Sequence, residues 1–387
     1  MRKISRFALI PSVALLFAGQ ANAQDRENAG PPNANDAPIA FLLDLTSGQV
    51  LFAREEDRRF MPASITKVMT TFLAFEWMEE GKILPQQVVT VRPELWREWR
   101  GVGSTMFLAS GARVTMDDLV HGVTTVSAND GAAVLAEGAA GSVDAWVAAM
   151  NAKASEIGMR DSHFGTPNGW MDDGRTFVTA RDLSTLAAAL IRKHPTKYRH
   201  FVGQTEFTYN EITQPNHDPI SGKVPGADGI KTGFTNQAGY GFLGSAQRNG
   251  RRLIMVVAGA PRARVRDRAS RDLLEWGFRS FDQQQFFAPG TVLGEADVQG
   301  GDSGSVGLVA RRGVFLSMPK NHQGKVSMTI RYDGPLRAPV ATGEKIAELL
   351  VQVEGLPEYS VPLVAEEAVE EAGFFDRVIN GVRGWLR

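Results

Sequence analysis

A long helix-forming stretch lies between two strand-forming regions of this sequence, and that order limits the folds open to the chain. Residues 37–55 (APIAFLLDLTSGQVLFARE) predict two apolar strands joined by a Thr-Ser-Gly turn. Residues 105–190 are rich in Ala, Leu and Met at helical spacing. Strands return over 226–260, with an Asn-Gly hairpin, and a helix is expected over about 263–276. Together these elements predict an α+β domain, in which helices flank one antiparallel sheet and a helical insert interrupts it.

The character of the sequence changes near residue 281, where the first domain is expected to end. Residues 288–363 consist of short segments of alternating Val and Leu, separated by Gly, Pro and Asp clusters. Such segments are typical of a small β-sandwich. A chain of 387 residues is long enough for two domains with cores of their own. We therefore expect a first domain over 37–281 and an all-β sandwich domain over 282–364.

The N-terminal residues predict an exported protein. Three basic residues precede an apolar run over 7–18, and an Ala-Asn-Ala sequence at 21–23 fits a cleavage site. The apolar run is shorter than the roughly 20 residues of a membrane-spanning helix, and a proline interrupts it. We expect a signal peptide over 1–23, followed by a disordered polar leader over 24–36.

The last residues (GFFDRVINGVRGWLR) predict an amphipathic helix. Its apolar face would hold Phe374, Phe375, Val378, Ile379, Val382, Trp385 and Leu386, and its polar face Asp376, Arg377, Asn380, Arg383 and Arg387. Large aromatic side chains opposite cationic ones favour a membrane-surface helix over a terminal helix docked on its own protein. Residues 365–387 are therefore expected to form a spacer and an anchor, with 372–387 on the inner-membrane surface. The predicted location is the periplasm of a Gram-negative bacterium, on the outer face of that membrane.

Composition excludes several classes of function. A net charge of −1 provides no electrostatic reason to expect nucleic acid as a partner. The absence of cysteine removes disulfides, thiolate metal sites and cysteine nucleophiles. No two of the six histidines are spaced i, i+4 around a helical glutamate, so a zinc peptidase is not expected. No phosphate-binding glycine loop precedes a helix, and the sequence predicts neither a metal site nor a cofactor.

A serine and a lysine three residues apart begin a helix predicted over 64–81. Ser64 and Lys67, in PASITKVMTTFLAF, would share one face of that helix, so the amine could reach the hydroxyl. Lysine acts as a base only where burial or a second cation lowers its pKa. Ser-x-x-Lys is common by chance, and alone the pair is better explained by a helix cap beside a solvated lysine.

Two later motifs change the interpretation of that pair. Ser127 and Asn129 (TTVSANDGAA) fall at a predicted junction between helices, and Lys231-Thr232-Gly233 (GADGIKTGFT) on a predicted edge strand. With Ser64 and Lys67 they resemble the serine penicillin-recognising enzymes, whose motifs are Ser-x-x-Lys, Ser-x-Asn and Lys-Thr-Gly in that order. The resemblance implies a β-lactamase/transpeptidase-like fold for the first domain.

The resemblance extends well beyond the motifs. Residues 103–169, 228–240 and 270–278 are similar to the D-alanyl-D-alanine carboxypeptidases, the low-molecular-weight penicillin-binding proteins. A β-rich second domain and an amphipathic C-terminal helix also resemble that branch, so the likeness covers residues 37–387. It implies a serine DD-carboxypeptidase that removes the terminal D-alanine from peptidoglycan stem pentapeptides and is acylated by β-lactam antibiotics.

The resemblance also implies a role for each motif residue. Ser64 would be the nucleophile, Lys67 its base, and Ser127 a proton relay to the departing amine. Lys231 would help to keep Lys67 neutral. The substrate would be bound by Asn129, Lys231, Thr232, Gly233 and Arg266, and the backbone N–H groups of Ser64 and Phe234 would form the oxyanion hole. Gly233 would let the substrate lie against the strand, because no side chain intervenes.

Two arginine positions bear on how the substrate carboxylate is held. Arg266 aligns with an arginine that the family uses near this carboxylate, and the alternative is an ordinary exposed arginine on a helix. Some relatives carry a further arginine fifteen residues before Lys231, where this sequence has Asn216. That departure affects the contacts to the carboxylate and therefore the substrate preference.

Other functions remain as alternatives or are disfavoured. A DD-endopeptidase that cuts peptidoglycan cross-links and a non-catalytic wall-binding protein remain open. A class A β-lactamase is disfavoured, because the chain has no Glu-x-x-Leu-Asn loop. The Gly-Asp-Ser-Gly sequence around Ser303 resembles the nucleophile site of chymotrypsin-like proteases, but no histidine and aspartate pattern supports it. It is expected to be a turn.

Overall fold

The computed structural model describes residues 30–320 and 325–373. The predicted signal peptide over 1–23 and the amphipathic helix from residue 374 onward lie outside the described residues. Within the described ranges, no helix combines the length and the hydropathy that crossing a bilayer requires.

Helices and strands follow the predicted order of strands, helices, strands and then an all-β region. The α-helices of the described residues are α1 (Lys67–Glu79), α2 (Pro93–Trp99), α3 (Met116–Thr125), α4 (Asn129–Ala140), α5 (Val143–Glu156), α6 (Ala180–Lys193), α7 (Pro195–Phe201) and α8 (Ala263–Ser280). The strands are β1 (Ile39–Asp44), β2 (Val50–Arg54), β3 (Val88–Thr90), β4 (Arg113–Thr115), β5 (Glu206–Tyr209), β6 (Ile212–Pro215), β7 (Ala227–Thr235), β8 (Gly239–Arg248), β9 (Arg251–Ala260), β10 (Phe281–Phe287), β11 (Val292–Gln299), β12 (Ser305–Val309), β13 (Val314–Pro319), β14 (Val326–Arg331), β15 (Leu336–Arg337), β16 (Lys345–Val353) and β17 (Tyr359–Ala365).

The first domain is built on a five-stranded antiparallel sheet of order β2-β1-β9-β8-β7. The predicted hairpin joins β8 to β9 through Asn249 and Gly250, whose φ angles of 49° and 82° suit a tight two-residue turn. Strand β7, which carries the Lys-Thr-Gly motif, is at the edge of the sheet. The predicted antiparallel sheet with flanking helices is confirmed.

Alternate side chains of the central strands enter two different apolar layers. Ile39 and Phe41 of β1 pack with the helical insert and α1, whereas Ala40 and Leu42 pack with α8 on the opposite face. Successive side chains of a strand point to opposite faces, so an almost continuous apolar run is buried on both sides. The sheet is therefore the middle of three layers, and the insert covers the face that bears the motifs.

The helix that carries Lys67 begins later than predicted. Ala63–Thr66 form a 3-10 turn, α1 starts at Lys67, and neither element has a side-chain cap. Residues 67–75 are all buried. The interpretation of Ser64 as a helix cap beside a solvated lysine is therefore wrong, because the Ser64 hydroxyl faces Lys67 Nζ at 2.9 Å.

The second domain is all-β, as predicted. Strand β10 pairs with β13, and the remaining strands form a sheet of order β14-β16-β17-β12-β11-β15. Side chains from both sheets, such as the fully buried Leu316 and Val351, meet in a separate apolar core. This packing of two sheets over one core fits the predicted sandwich.

The chain continues along the second domain beyond β17. Val369 pairs with Val340, and the backbone N–H of Ala372 donates to the carbonyl of Gly300 at 2.8 Å. Val369 and Ala372 are buried, whereas the glutamates of this segment are exposed, namely Glu366, Glu367, Glu370 and Glu371. The second domain thus extends to about residue 372, and the predicted boundary at 364 is too early.

The end of the predicted disordered leader is held against the first domain. Arg54 Nη1 donates to the carbonyls of Pro32 (2.8 Å) and Ala37 (3.1 Å), and Arg268 of α8 forms an ion pair with Asp36 at 2.8 Å. The prediction of disorder is therefore wrong for residues 32–36, because polar contacts fix a segment whose composition alone resembles a linker.

A buried polar cluster joins the two domains. Arg251 of β9 donates through Nε to Asp44 Oδ2 at 2.7 Å and through Nη1 to the Phe281 carbonyl at 2.8 Å. Ser317 of β13 donates its hydroxyl to the same carboxylate at 2.5 Å, and its backbone exchanges hydrogen bonds with the Gln49 amide. Asp44 and Ser317 are completely buried. The charge of Asp44 is thus compensated from both domains.

Replacing Arg251 with methionine should strongly destabilise the protein. The substitution leaves the Asp44 carboxylate buried without its counter-charge, and loss of one partner of a buried pair typically costs about 3–5 kcal/mol of unfolding free energy. Denaturant unfolding followed by circular dichroism measures the effect. The control is Arg331→Met, because Arg331 is 64% exposed in its ion pair with Glu348 and such pairs contribute little. Equal unfolding midpoints for the two variants would contradict the assigned role of the cluster.

Candidate active site

The turn before α1 and the first residue of that helix bring Ser64 and Lys67 together. Lys67 is completely buried, whereas Ser64 is partly exposed and lines a cleft of ≈ 610 Å³. Ser64 Oγ and Lys67 Nζ are 2.9 Å apart. A hydroxyl that is open to the cleft therefore contacts an amine that solvent does not reach.

The other partners of Lys67 determine which way its lone pair points. Nζ lies 2.7 Å from Asn129 Oδ1 and 2.8 Å from the Asn168 carbonyl. The orientation of the Asn129 amide is set independently, because its Nδ2 donates to the Val102 carbonyl at 2.9 Å. A neutral amine has two N–H groups, and these two oxygens can only accept them. Its lone pair is then left for the Ser64 hydroxyl, which donates to it.

Electrostatics favour the neutral form of this amine. Burial lowers the pKa of Lys67 well below its usual range, and the positive charge of Lys231 lowers it further, against an opposing effect of Asp130. Burial, followed by the nearby Arg266, also lowers the pKa of Lys231, to about 7. A lysine must have a lowered pKa to act as a base, and the pKa of Lys67 is lowered.

Ser127 lies on the predicted junction between α3 and α4, in a strained backbone conformation. Its φ of 64° is one that residues with a side chain rarely adopt. The backbone after it is fixed, because the N–H groups of Ala128 and Asn129 donate to Gly122 (3.0 Å) and Ser104 (2.8 Å). Ser127 is 3% exposed and lines the same cleft as Ser64. The junction thus places Ser127 in the cavity that contains Ser64.

Asp130 is a structural residue of the site that the motifs did not identify. Its buried carboxylate accepts hydrogen bonds from the backbone N–H groups of Met106 (3.0 Å), Leu108 (3.1 Å) and Gly131 (2.8 Å). Burial raises its pKa, and these hydrogen bonds oppose the rise. The carboxylate thereby holds the segment beside the cleft against α4. The sequence feature that could have identified Asp130 is its position next to Asn129 at the start of a predicted helix.

Strand β7 provides the opposite wall of the cleft. Lys231 is 6% exposed, and its Nζ donates to the Thr232 carbonyl at 3.3 Å. Among the residues that the structure describes, no carboxylate lies within ion-pair distance of Lys231. Thr232 and Phe234 line the cleft, whereas Lys231 lies behind them and is not among its lining residues. The two predicted oxyanion donors, the backbone N–H groups of Ser64 and Phe234, thus belong to one cavity. A buried lysine whose charge no carboxylate of the described residues pairs with suits an anionic group of a substrate.

The structure gives a reason for Gly233 that the sequence does not indicate. A Cβ at this position would lie 2.4 Å from the Pro62 carbonyl oxygen and 3.0 Å from Ile65 Cγ1. The missing side chain therefore faces the nucleophile turn, and glycine lets β7 approach that turn closely. Gly233 also lines the cleft, and its contact with the substrate stays a prediction.

Large apolar side chains line the outer part of the cleft. Trp170 and Met171 come from the segment between α5 and α6, and Phe234 stacks on Tyr240 with ring centroids 4.1 Å apart. Met171 and Phe234 are about half exposed, at 50% and 46%. The cleft therefore combines a cationic interior with an apolar entrance, as expected for a site that binds a small peptide.

The two positions that bear on the carboxylate lie differently in the structure. Arg266 is 7% exposed and lines the cleft, with Nη1 donating to the Gly241 carbonyl at 3.2 Å. The alternative of an ordinary exposed helix arginine is therefore wrong. Asn216 instead holds its own loop, because its Nδ2 donates to the Gln204 carbonyl at 2.7 Å and its Oδ1 accepts from the Asp218 N–H at 3.0 Å.

His217 lines the cleft, although the sequence assigned a role to none of the histidines. It follows Asn216 on the loop before β7 and shares the cleft with Ser64 and Thr232. Burial, followed by the charges of Lys231 and Arg266, lowers its pKa. The signal that could have found it is its place next to Asn216, where some relatives carry an arginine.

The Gly-Asp-Ser-Gly sequence lies far from this cleft in the chain and in the fold. Ser303 stands between β11 and β12 of the second domain and donates its hydroxyl to the Ser305 carbonyl at 2.8 Å. The prediction of a turn is confirmed.

Two family profiles together match most of the chain. The profile of D-alanyl-D-alanine carboxypeptidase matches residues 25–262, and that of the penicillin-binding protein 5 C-terminal domain matches residues 281–371. The second match ends next to residue 372, where the docked segment after β17 ends.

Individual proteins are similar over nearly the same length. The D-alanyl-D-alanine carboxypeptidase DacA of Haemophilus influenzae is 34% identical over 381 residues, which is 98% of this chain and 96% of that relative. The crystal structure of penicillin binding protein 5 from Haemophilus influenzae, 34% identical, covers 89% of this chain and 100% of its own with a TM-score of 0.76. Penicillin-binding protein D2 from Listeria monocytogenes, in a cefotaxime-bound form, is 27% identical and covers 64% of this chain and 100% of its own, with a TM-score of 0.58.

Proposed function

Because the chain belongs to the D-alanyl-D-alanine carboxypeptidase family, we propose that it is a serine carboxypeptidase that removes the terminal D-alanine from peptidoglycan stem pentapeptides. The observation that carries this function is the completely buried Lys67, whose Nζ lies 2.9 Å from Ser64 Oγ. A hydroxyl attacks an amide only after a base takes its proton, and this amine is placed to take it.

Acylation begins when Ser64 Oγ attacks the carbonyl carbon of the D-Ala–D-Ala bond. The Ser64 proton passes to Lys67 Nζ, which becomes an ammonium held by the oxygens of Asn129 and Asn168. Negative charge develops on the former carbonyl oxygen. The backbone N–H groups of Ser64 and Phe234 stabilise that charge.

The tetrahedral intermediate then collapses to an ester, which water hydrolyses. The C–N bond breaks, and Ser127 passes a proton to the nitrogen of the departing D-alanine while it receives one from the Lys67 ammonium. The peptide remains as an ester on Ser64. A water molecule then adds to the ester carbonyl and gives up a proton to the regenerated base. The bond from the carbonyl carbon to Ser64 Oγ breaks, Oγ takes that proton from the base, and the shortened peptide leaves with a free carboxyl group.

The cationic interior of the cleft binds the free carboxylate of the terminal D-alanine. Lys231, Thr232 and Arg266 contribute to this contact, and Asn129 donates to the peptide backbone. Penicillins acylate Ser64 in the same way, because a β-lactam presents an amide beside a carboxylate. The cefotaxime-bound form of the Listeria relative supports this inference.

A serine-to-alanine substitution tests the chemistry directly. Ser64→Ala should abolish both labelling by a fluorescent penicillin and release of D-alanine from a pentapeptide that ends in D-Ala–D-Ala. The control is Ser303→Ala, which removes the exposed serine of the second domain and should leave both activities unchanged. Labelling or D-alanine release that survives in Ser64→Ala would overturn the mechanism.

The same assay separates the alternative functions. A cross-linked muropeptide dimer offered beside the pentapeptide should be cleaved more slowly than the pentapeptide, as judged by kcat/KM. Faster cleavage of the dimer would identify a DD-endopeptidase. Penicillin labelling without turnover of either substrate would identify a wall-binding protein.

Activity should fall as the pH rises through about 7. Lys231, whose pKa is about 7, must be protonated to attract the substrate carboxylate, so its charge is present below that pH and lost above it. The pH profile of kcat/KM reports groups of the free enzyme. Arg266→Gln should move the alkaline fall to higher pH, because Arg266 lowers the pKa of Lys231.

Arg268→Gln is the matched control for this profile. Arg268 lies on the same helix, but it is exposed and paired with Asp36, so its loss should leave the profile in place. An alkaline limb that stays unchanged in Arg266→Gln would contradict the coupling between Arg266 and Lys231.

The enzyme is proposed to act in the periplasm, peripherally attached to the inner membrane. The basic and apolar N-terminal segment supports export, and the amphipathic pattern at the end of the chain supports attachment through residues 372–387. Ala372 itself is buried against the second domain, so the part available for the membrane begins after it.

Deletion of residues 374–387 should move the protein from the membrane fraction to the soluble fraction. The deletion leaves the hydrogen bond between Ala372 and Gly300 in place, so the last described segment stays attached to the second domain. Fractionation followed by fluorescent-penicillin labelling measures both the location and the integrity of the site. An unchanged membrane fraction with full labelling would exclude this anchor.

A further inference from the structure

Three potential metal ligands converge on the outer surface of the helical insert. Asp117 and His121 lie one turn apart on α3, and His200 comes from α7. One ligand atom from each residue lies within 4.8 Å of the others. None of the three lines the catalytic cleft. We propose that Asp117, His121 and His200 form a binding site for a divalent transition-metal ion, with Zn²⁺ as the expected occupant.

The distances fit an ion better than they fit direct hydrogen bonds. Asp117 presents one carboxylate oxygen to His121 Nε2 and the other to His200 Nε2, each at 3.8 Å. Hydrogen bonds between such atoms would be about 2.7–3.2 Å long. Ligand atoms bound to tetrahedral zinc at about 2.1 Å are about 3.4 Å apart. The three ligand atoms here lie within 4.8 Å of one another, so closing the site takes movements of up to about 1.4 Å, which the exposed His200 side chain can make.

Neighbouring aromatic rings orient His121, the least exposed residue of the set. The His121 ring lies 4.6 Å from the Phe201 ring and stacks with Phe207 at 5.9 Å, centroid to centroid. The two imidazoles meet edge to face, with centroids 5.1 Å apart and planes at 70°. The His121 side chain is 18% exposed and the His200 side chain 59% exposed. The His121 side chain is therefore held in position, whereas the exposed His200 side chain can move to bind the ion.

The donor set selects the class of ion. Two imidazoles and one carboxylate suit zinc and its neighbours, whereas magnesium and calcium prefer ligand sets made only of oxygen. Three protein ligands leave a fourth position for water. Asp117 also neutralises one charge of a divalent ion, and Asp118 on the same helix adds to the negative potential near His121.

Such an ion would fasten α3 to α7. The two helices already meet through Thr124, whose hydroxyl donates to the Phe201 carbonyl at 2.8 Å. Thr124 precedes the strained Ser127 by three residues. An ion that binds only the folded protein stabilises it, and the stabilisation grows with the logarithm of the free ion concentration above Kd, so the melting temperature rises.

Titration of the full chain, purified without a histidine tag and treated with a chelator, tests the site. Zn²⁺ is measured by calorimetry and Co²⁺ by its visible d–d absorption. One equivalent should bind, and the melting temperature should rise with Zn²⁺ but not with Mg²⁺. His200→Asn should weaken Zn²⁺ binding at least about tenfold. It should also remove the tetrahedral Co²⁺ spectrum.

His163→Asn is the matched control, because His163 is an exposed histidine outside the cluster. It should bind Zn²⁺ like the unmodified protein. Asp117→Asn should weaken binding as His200→Asn does, and both substitutions affect partly or fully exposed side chains, so folding should be retained. Equal affinities in His200→Asn and the unmodified protein, or no binding below millimolar Zn²⁺, would overturn the proposal.

Discussion

The contact between a completely buried lysine and a cleft-facing serine imposes the strictest condition on this fold. A charged amine without water is costly, so Lys67 has to be neutral and fully hydrogen-bonded. Four separate parts of the chain meet that condition. The 3-10 turn brings Ser64, the junction between α3 and α4 brings Asn129, the segment before α6 brings Asn168, and β7 brings Lys231. The first domain can hold this contact only when all of these parts are in place.

Two glycines make that convergence sterically possible. A Cβ on Gly233 would lie 2.4 Å from the Pro62 carbonyl oxygen, and one on Gly169 would lie 1.9 Å from the Ala63 carbonyl oxygen. Both distances are well below normal van der Waals contact. The nucleophile turn is therefore enclosed by backbone from two sides, and no residue with a side chain fits at either position. Glycine loses more conformational entropy on folding than any other residue. At these two positions that cost is accepted because it allows Ser64 to be placed precisely.

The fold and the catalytic motifs could largely be predicted, because both depend on local patterns. Residue period, turn residues and motif order identified the antiparallel sheet, the helical insert and the β-sandwich. The predictions failed where contacts distant in sequence override composition. The composition of residues 32–36 predicts a linker, but Arg54 and Arg268 hold that segment against the first domain. The composition of the segment after β17 predicts a spacer, but Val369 pairs with the second domain. Asp130 and His217 were missed because a single polar residue carries no periodic signal.

The family, the order of the three motifs and the chemical groups at the site all follow from the amino-acid sequence. The burial of Lys67, the place of Arg266 in the cleft and the close approach of β7 to the nucleophile turn at Gly233 follow from the folded chain. It also brought His121 and His200 together from two helices. The physical reason is that burial, and the pKa that follows from it, depends on atoms contributed by segments far apart along the chain. The sequence specifies which atoms are present, but the distances between them are set only when the chain folds.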